Sequence, residues 1–194
     1  MSKQMWKPGT LLYPVPAVMV SCSSNGTNNI ITVAWTGIIN SEPPMLYVSV
    51  RPERFSYNLI KDTGNFVVNI PTRNLAYALD FCGVKSGRDL NKFEHLKLTP
   101  QKSNLVDSPG VGECPVNIEC KVKDIIKLGS HDMFIGEILC VDVEENLLDK
   151  SGKLQLNKAA LICYSHGEYR TLSDSLGHFG FSVRKKPLKK GTSK

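Results

Sequence analysis

The chain has 194 residues, 41% hydrophobic and 22% charged, which suits one soluble domain with its own core and is short for two. Its net charge is +6, but Arg184, Lys185, Lys186, Lys189, Lys190 and Lys194 hold all of that excess. The body to residue 183 is therefore neutral, and residues 184–194 read as a basic, solvated tail rather than a nucleic-acid contact. No run reaches the roughly 18 apolar residues of a membrane helix, and Met1 to Pro16 carries no apolar signal core. A cytoplasmic protein with no membrane and no nucleic-acid partner is expected.

Along the chain, period-two alternation predicts strands at Ala17 to Ser21, Ile30 to Ile38, Met45 to Arg51, Phe66 to Ile70, Val116 to Ile126, Met133 to Val143 and Ala160 to Tyr164. In the third run Leu46, Val48 and Val50 share one face while Tyr47, Ser49 and Arg51 share the other. Leu128 to Asp132 reads as a hairpin connection. Phe55 to Lys61 and Asn74 to Cys82 each follow proline and polar residues and read as helices, with a short third at Asp89 to His95. Many strands separated by turn residues make a mainly β, antiparallel barrel or sandwich.

Cys22, Cys82, Cys114, Cys120, Cys140 and Cys163 contain no C-x-x-C pair, and the histidines form no H-E-x-x-H, so a zinc site or disulfide framework is not expected. The thiols read as small, mostly buried side chains. Neither a Rossmann glycine fingerprint, a P-loop nor a G-x-S-x-G elbow is present.

One constellation remains. Asn29-Ile-Ile-Thr32-Val-Ala34-Trp35-Thr36-Gly37 places Thr32, Ala34 and Thr36 on one strand face, leaving room for a flat ligand against the backbone. Arg51, Arg54 and Ser56 converge where a helix begins, and its free N–H groups favour a phosphate. Taken singly, each has a plainer explanation: a solvent-facing threonine row, a core tryptophan, an arginine stem covering apolar surface, a serine N-cap.

Taken in order, the N-x-x-T-x-A-W-x-G strand, Ser41-Glu-Pro43-Pro44, Ser56, Ser86-Gly-Arg88-Asp-Leu-Asn-Lys92-Phe93 and Gly129-Ser-His131-Asp132-x-Phe134-x-Gly136-Glu137 closely resemble the flavin reductase-like, FMN-binding split-barrel family, particularly its flavoredoxin branch. The resemblance covers residues 8 to 182. It implies an antiparallel Greek-key split β-barrel over residues 1–183. It also implies FMN contacts along Asn29, Thr32, Ala34, Trp35 and Thr36, at Ser49, Val50 and Arg51, at Ser56 and Lys92 for the phosphate, and at Tyr164 near the ring. His131 is left out of this set as a hairpin-tip side chain, and Glu137 is read as a possible buried carboxylate with a structural partner. No catalytic acid or base and no metal is assigned, because the flavin would carry the redox chemistry.

The implied activity is an FMN-binding oxidoreductase with NADH or NADPH as electron donor. The alternatives are a flavoredoxin-type carrier fed by a redox protein partner, and a flavin-binding module without turnover. A homodimer is expected, with the aromatic residues Tyr164, Tyr169, Phe179 and Phe181 offering apolar surface to bury. Removal of the basic tail is expected to leave FMN affinity unchanged.

Overall fold

The computed structural model describes residues 1–184; the tail after Arg184, and the expectation that it is dispensable, lie outside the described residues. Its strands are β1 (Val15–Pro16), β2 (Val18–Ser24), β3 (Thr27–Val33), β4 (Thr36–Ser41), β5 (Pro44–Val50), β6 (Asn65–Ile70), β7 (Pro100–Gln101), β8 (Gly110–Val111), β9 (Val116–Lys127), β10 (Asp132–Val143), β11 (Ile162–Ser165) and β12 (Glu168–Thr171). The α-helices are α1 (Phe55–Thr63), α2 (Ala76–Val84) and α3 (Lys92–Leu96). Seven strands form one antiparallel sheet in the order β3-β2-β6-β9-β10-β5-β4, and β1-β11-β12 form a smaller one. The two ends of the large sheet, β3 and β4, are separated in the chain only by Ala34 and Trp35, so the sheet curls back on itself; the Ser49 N–H donates to the Trp35 carbonyl at 2.9 Å and extends the β4–β5 pairing into that link. The mainly β, split-barrel fold expected from the sequence is the fold observed.

The alternation of β5 is as expected: Leu46, Val48 and Val50 are buried while Tyr47 and Ser49 are half-buried. β2 differs, because Val18 through Cys22 are all buried. Val18, Val20 and Cys22 face the barrel interior with Ile31, Val33, Phe66, Phe134 and the α1 residues Tyr57 and Ile60. Met19 and Ile30 face a second core built from Ala78, Leu79 and Cys82 of α2 with Phe93, Leu98 and Val111. A strand sandwiched between two cores loses its polar face, so α2 and α3 are held by the opposite side of the strands that line the barrel.

The single strand expected over Ile30 to Ile38 is broken at Ala34 and Trp35. The break reverses the facing beyond it: Trp35 is 37% exposed while Thr36 is buried and donates its hydroxyl to the Tyr47 carbonyl at 2.6 Å. The helix expected at Asn74 begins as a 3-10 turn, Arg73–Leu75, before α2. The short third helix starts at Lys92, where the Asn91 side chain accepts from the backbone of Phe93 and Glu94. Gly136 is required by packing, since a Cβ there would lie 2.7 Å from the Phe66 ring inside the barrel. β12 was not foreseen; it follows the tight turn at His166 and Gly167, both at positive φ.

Two buried acids fasten neighbouring elements to the barrel strands. The Asp132 carboxylate accepts from Tyr57 Oη at 2.6 Å, joining the start of β10 to α1. Glu119 accepts from the backbone N–H groups of Asn104 and Leu105, each at 2.7 Å, and so fastens the loop before β8. Its carboxylate lies within 4.8 Å of Cys140 Sγ and the Asp142 carboxyl, and Asn104 Nδ2 donates to Asp142 Oδ1 at 2.9 Å. Glu137, the acid expected to be buried, is instead half-buried and paired with Lys123 at 2.9 Å.

Desolvation first, and then the neighbouring Glu119, raises the Asp142 pKa above the ordinary aspartate value. A carboxyl that holds its proton more tightly when folded favours the fold at low pH, and this contribution fades as pH rises through the raised value. Asp142→Asn keeps an acceptor for Asn104 and adds a donor toward Glu119. The variant should therefore lose less stability than the parent between pH 4 and pH 8, measured as the shift in urea midpoint. Parallel pH profiles for the two proteins would rule out this role for Asp142.

Candidate functional site

The break after β3, the end of β5 and α2 enclose a cavity of about 390 Å³. It is lined by Thr32, Ala34, Trp35, Ser49 and Val50 from the strands, by Asp80, Gly83 and Val84 of α2, and by His131, Tyr164 and Tyr169, with the Tyr169 hydroxyl beside the Asp80 carboxylate. Small residues in a strand break leave backbone open to a flat molecule. Thr32 is held in place because its hydroxyl donates to the Leu79 carbonyl of α2, and Gly83 packs directly over its Cβ. Tyr164 meets Tyr169 and Tyr13 edge-to-face, with centroids 5.7 and 5.8 Å apart.

Ile31, Arg51 and Arg54 also border a second compartment of about 400 Å³. This one is lined by Asn29, Ser56, Lys85 through Arg88 and Lys92. Five cations, Arg51, Arg54, Lys85, Arg88 and Lys92, border it against one carboxylate, Glu53, so the compartment suits an anion. α1 opens onto it with Arg54 as an N-cap that makes no side-chain cap bond and with no acid in the first turn. Its first N–H groups are thus unspent by capping, and the helix dipole adds to the positive field.

Lys92 is the unusual member. It is buried, and its Nζ donates to the Ile30 carbonyl at 2.7 Å and the Cys82 carbonyl at 2.8 Å. No carboxylate pairs with it among the described residues. Desolvation by burial pushes its pKa below the ordinary lysine value. An ammonium has three donors, and two are used. Beside it Asn29 Nδ2 donates to Ser56 Oγ at 2.7 Å, which leaves the Ser56 hydroxyl hydrogen free to donate.

Ten of the eleven residues expected at the site therefore border the joined compartments: Asn29, Ser56 and Lys92 the cationic one, Thr32, Ala34, Trp35, Ser49, Val50 and Tyr164 the flatter one, and Arg51 both. Thr36 does not, since the strand break turns it inward onto Tyr47. The sequence reading missed Asp80, Gly83 and Val84, whose i, i+3, i+4 spacing marks one face of α2. It also set aside His131, which the hairpin brings to the cavity wall. Partial burial, and then the Arg51 guanidinium, hold the His131 pKa below the ordinary imidazole value. The buried thiols take no part as nucleophiles: burial pushes Cys22 up to about 12 and Cys82 up to about 11.

The family model described as flavin reductase like domain matches residues 10–173. A flavoredoxin of Desulfovibrio vulgaris (Miyazaki F) is similar in structure, with a TM-score of 0.88 and 34% identity over 94% of this chain and 100% of that one. A flavoredoxin from Methanosarcina acetivorans gives a TM-score of 0.86 at 26% identity, covering 95% and 100%. An uncharacterised protein of Archaeoglobus fulgidus is 34% identical over 164 residues, 84% of this chain and 91% of that protein.

Gly87 tests how tightly the cationic compartment is built. A Cβ there would overlap the Asn29 amide and sit 2.6 Å from Phe55 Cδ1. Both neighbours are anchored, Asn29 by Ser56 and the Phe55 ring by the Arg88 guanidinium above it. Gly87→Ala should cost about 1–3 kcal/mol of stability, as overpacking does, read from the urea midpoint. An unchanged midpoint would show that the two side chains move aside freely.

Proposed function

This chain belongs to the flavin reductase-like family, on its flavoredoxin branch, and from that premise we propose that it binds FMN and acts as an oxidoreductase with NADH or NADPH as electron donor. The observation that carries the reading is the buried, carboxylate-free Lys92 at the cationic end of a flat-floored groove. A terminal phosphate supplies the missing anion. Lys92, the Ser56 hydroxyl and the first N–H groups of α1 hold it by charge-assisted hydrogen bonds, and Asn29 fixes the Ser56 rotamer. Arg51 stands where phosphate and ring compartments join, and Thr32, Ala34, Trp35, Ser49, Val50 and Tyr164 bound the ring. Thr36 has a structural task here. The body, residues 1–183, works as one flavin domain in a homodimer.

When bound, FMN supplies hydride and electron transfer, so the chain needs no catalytic acid or base for that step. Its own residues position the cofactor, keep the phosphate end dry and leave the cavity between α2 and His131 open to a donor. A second reading is an electron carrier reduced by a protein partner, favoured by the likeness to the Desulfovibrio flavoredoxin over nearly the whole of both chains. Anaerobic stopped-flow mixing separates them: rapid bleaching of the flavin by NADH or NADPH is expected for the reductase, and no bleaching within minutes overturns it in favour of the carrier.

Phosphate recognition gives a sharper test of the site itself. Charge-assisted hydrogen bonds contribute about 1.5–3 kcal/mol each by mutation. Lys92→Met or Ser56→Ala should therefore weaken FMN roughly tenfold or more, at about 1.4 kcal/mol per decade. Riboflavin, which has no phosphate, should be nearly indifferent to either change. Equal losses for both ligands in fluorescence titrations would place the phosphate elsewhere.

A further inference from the structure

α2 carries a single charged residue, Asp80. The outer side of a surface helix is ordinarily polar, yet here it is apolar apart from that one acid, with Tyr77 73% and Val84 68% exposed. Asp80 stands where the helix borders the cavity, together with Gly83 and Val84. Among the described residues it is the only acid that lines this cavity, and no lysine, arginine or histidine forms an ion pair with it. The mechanism derived above gives this carboxylate no task.

Its surroundings suit a cation. Burial, and then the Asp80 carboxylate, push the Tyr169 pKa up to about 12, so the Tyr169 hydroxyl keeps its proton and donates it to Asp80. That bond steadies the carboxylate and uses only one of its several acceptor positions. The rings of Trp35, Tyr164 and Tyr169 line the same cavity, and aromatic rings attract cations through their quadrupoles. The cavity's own cations, Arg51 and Arg54, lie where it joins the Lys92 compartment, which Asp80 does not border. The joined space is therefore polarised, favouring an anion near Lys92 and a cation near Asp80. One carboxylate among aromatic rings fits a planar organic cation, whereas a divalent metal needs several oxygen ligands.

We propose that Asp80 recognises the positive charge that develops on the nicotinamide ring of the electron donor as it is oxidised in this cavity. The proposal rests on the reading of the chain as an NADH- or NADPH-linked flavoprotein. In hydride transfer a ring C–H bond of the dihydronicotinamide breaks and both its electrons leave with the hydrogen to the flavin. The donor is oxidised from a neutral ring to a pyridinium cation, and the flavin is reduced by the same two electrons. A carboxylate already oriented by Tyr169 attracts the ring in proportion to the charge formed, so it stabilises the transition state and the oxidised ring more than the neutral one. Asp80 thereby acts on charge and moves no proton.

Equilibrium dialysis of the full, FMN-supplemented chain against two probes tests the binding half. The probes are nicotinamide, which is neutral, and ring N-methylated nicotinamide, which is a permanent cation of nearly the same shape. The parent should bind the cation roughly tenfold more tightly, and Asp80→Asn, which keeps an acceptor for Tyr169, should reduce that preference to about twofold or less. No preference in the parent, no binding of either probe, or an undiminished preference in the variant would overturn the proposal. The kinetic half compares two reductants in anaerobic stopped flow. Asp80→Asn should slow flavin bleaching by NADH or NADPH roughly tenfold and leave reduction by dithionite, which forms no ring cation, unslowed. Equal slowing with both reductants would also overturn the proposal. A parent that prefers the cationic probe but is bleached by neither nicotinamide nucleotide would overturn the reductase reading alone.

Discussion

A cation without an anion governs the architecture of the site. The Lys92 ammonium is inserted between β3 and α2, where the carbonyls of Ile30 and Cys82 replace part of its hydration. Two dipoles do not compensate a buried charge fully, and desolvation depresses its pKa accordingly. The fold tolerates this cost because the same bonds tie three elements, β3, α2 and α3, at the edge of the second core. An anion in the cationic compartment would remove the imbalance at a contact the fold already makes.

From that contact the rest of the site follows by proximity. Holding α2 against β3 places Gly83 on Thr32 and directs the Thr32 hydroxyl into α2. It also brings Asn29, at the other end of β3, beside Ser56 and Gly87. The Tyr57 hydroxyl, bonded to Asp132, fixes α1 against β10 and with it the position of His131 at the cavity wall. Small-residue cavity, cationic compartment and wall are thus three outcomes of helices pressed on the two faces of one pair of strands.

Much of this was legible in the sequence, and the misses share a cause. The alternation of Met45 to Val50 read correctly because β5 has one apolar face, and the hairpin at Leu128 to Asp132 read correctly because turn chemistry is local. Alternation misleads in β2, where both faces are buried, and at Ala34 and Trp35, where a break reverses the facing that a continuous strand would give. That break alone accounts for Thr36, counted at the site by parity and found bonded to Tyr47. His131 was set aside because a hairpin tip is normally solvated; only tertiary packing shows what the tip leans on. Glu137 shares an outer strand face and found Lys123, whereas the fully buried acid, Glu119, sits in a run of alternating residues with no local mark of its partners, which come from a loop.

Trp35 joins the two halves of the problem. It is the largest residue in the strand break, half-exposed, and it stands between the cavity lined by Thr32 and Ala34 and the cavity walled by residues 9 to 13. At 37% exposed it is covered less than a core side chain, so packing fixes it less firmly. Trp35 is therefore a wall through which the contents of either cavity bear on the other.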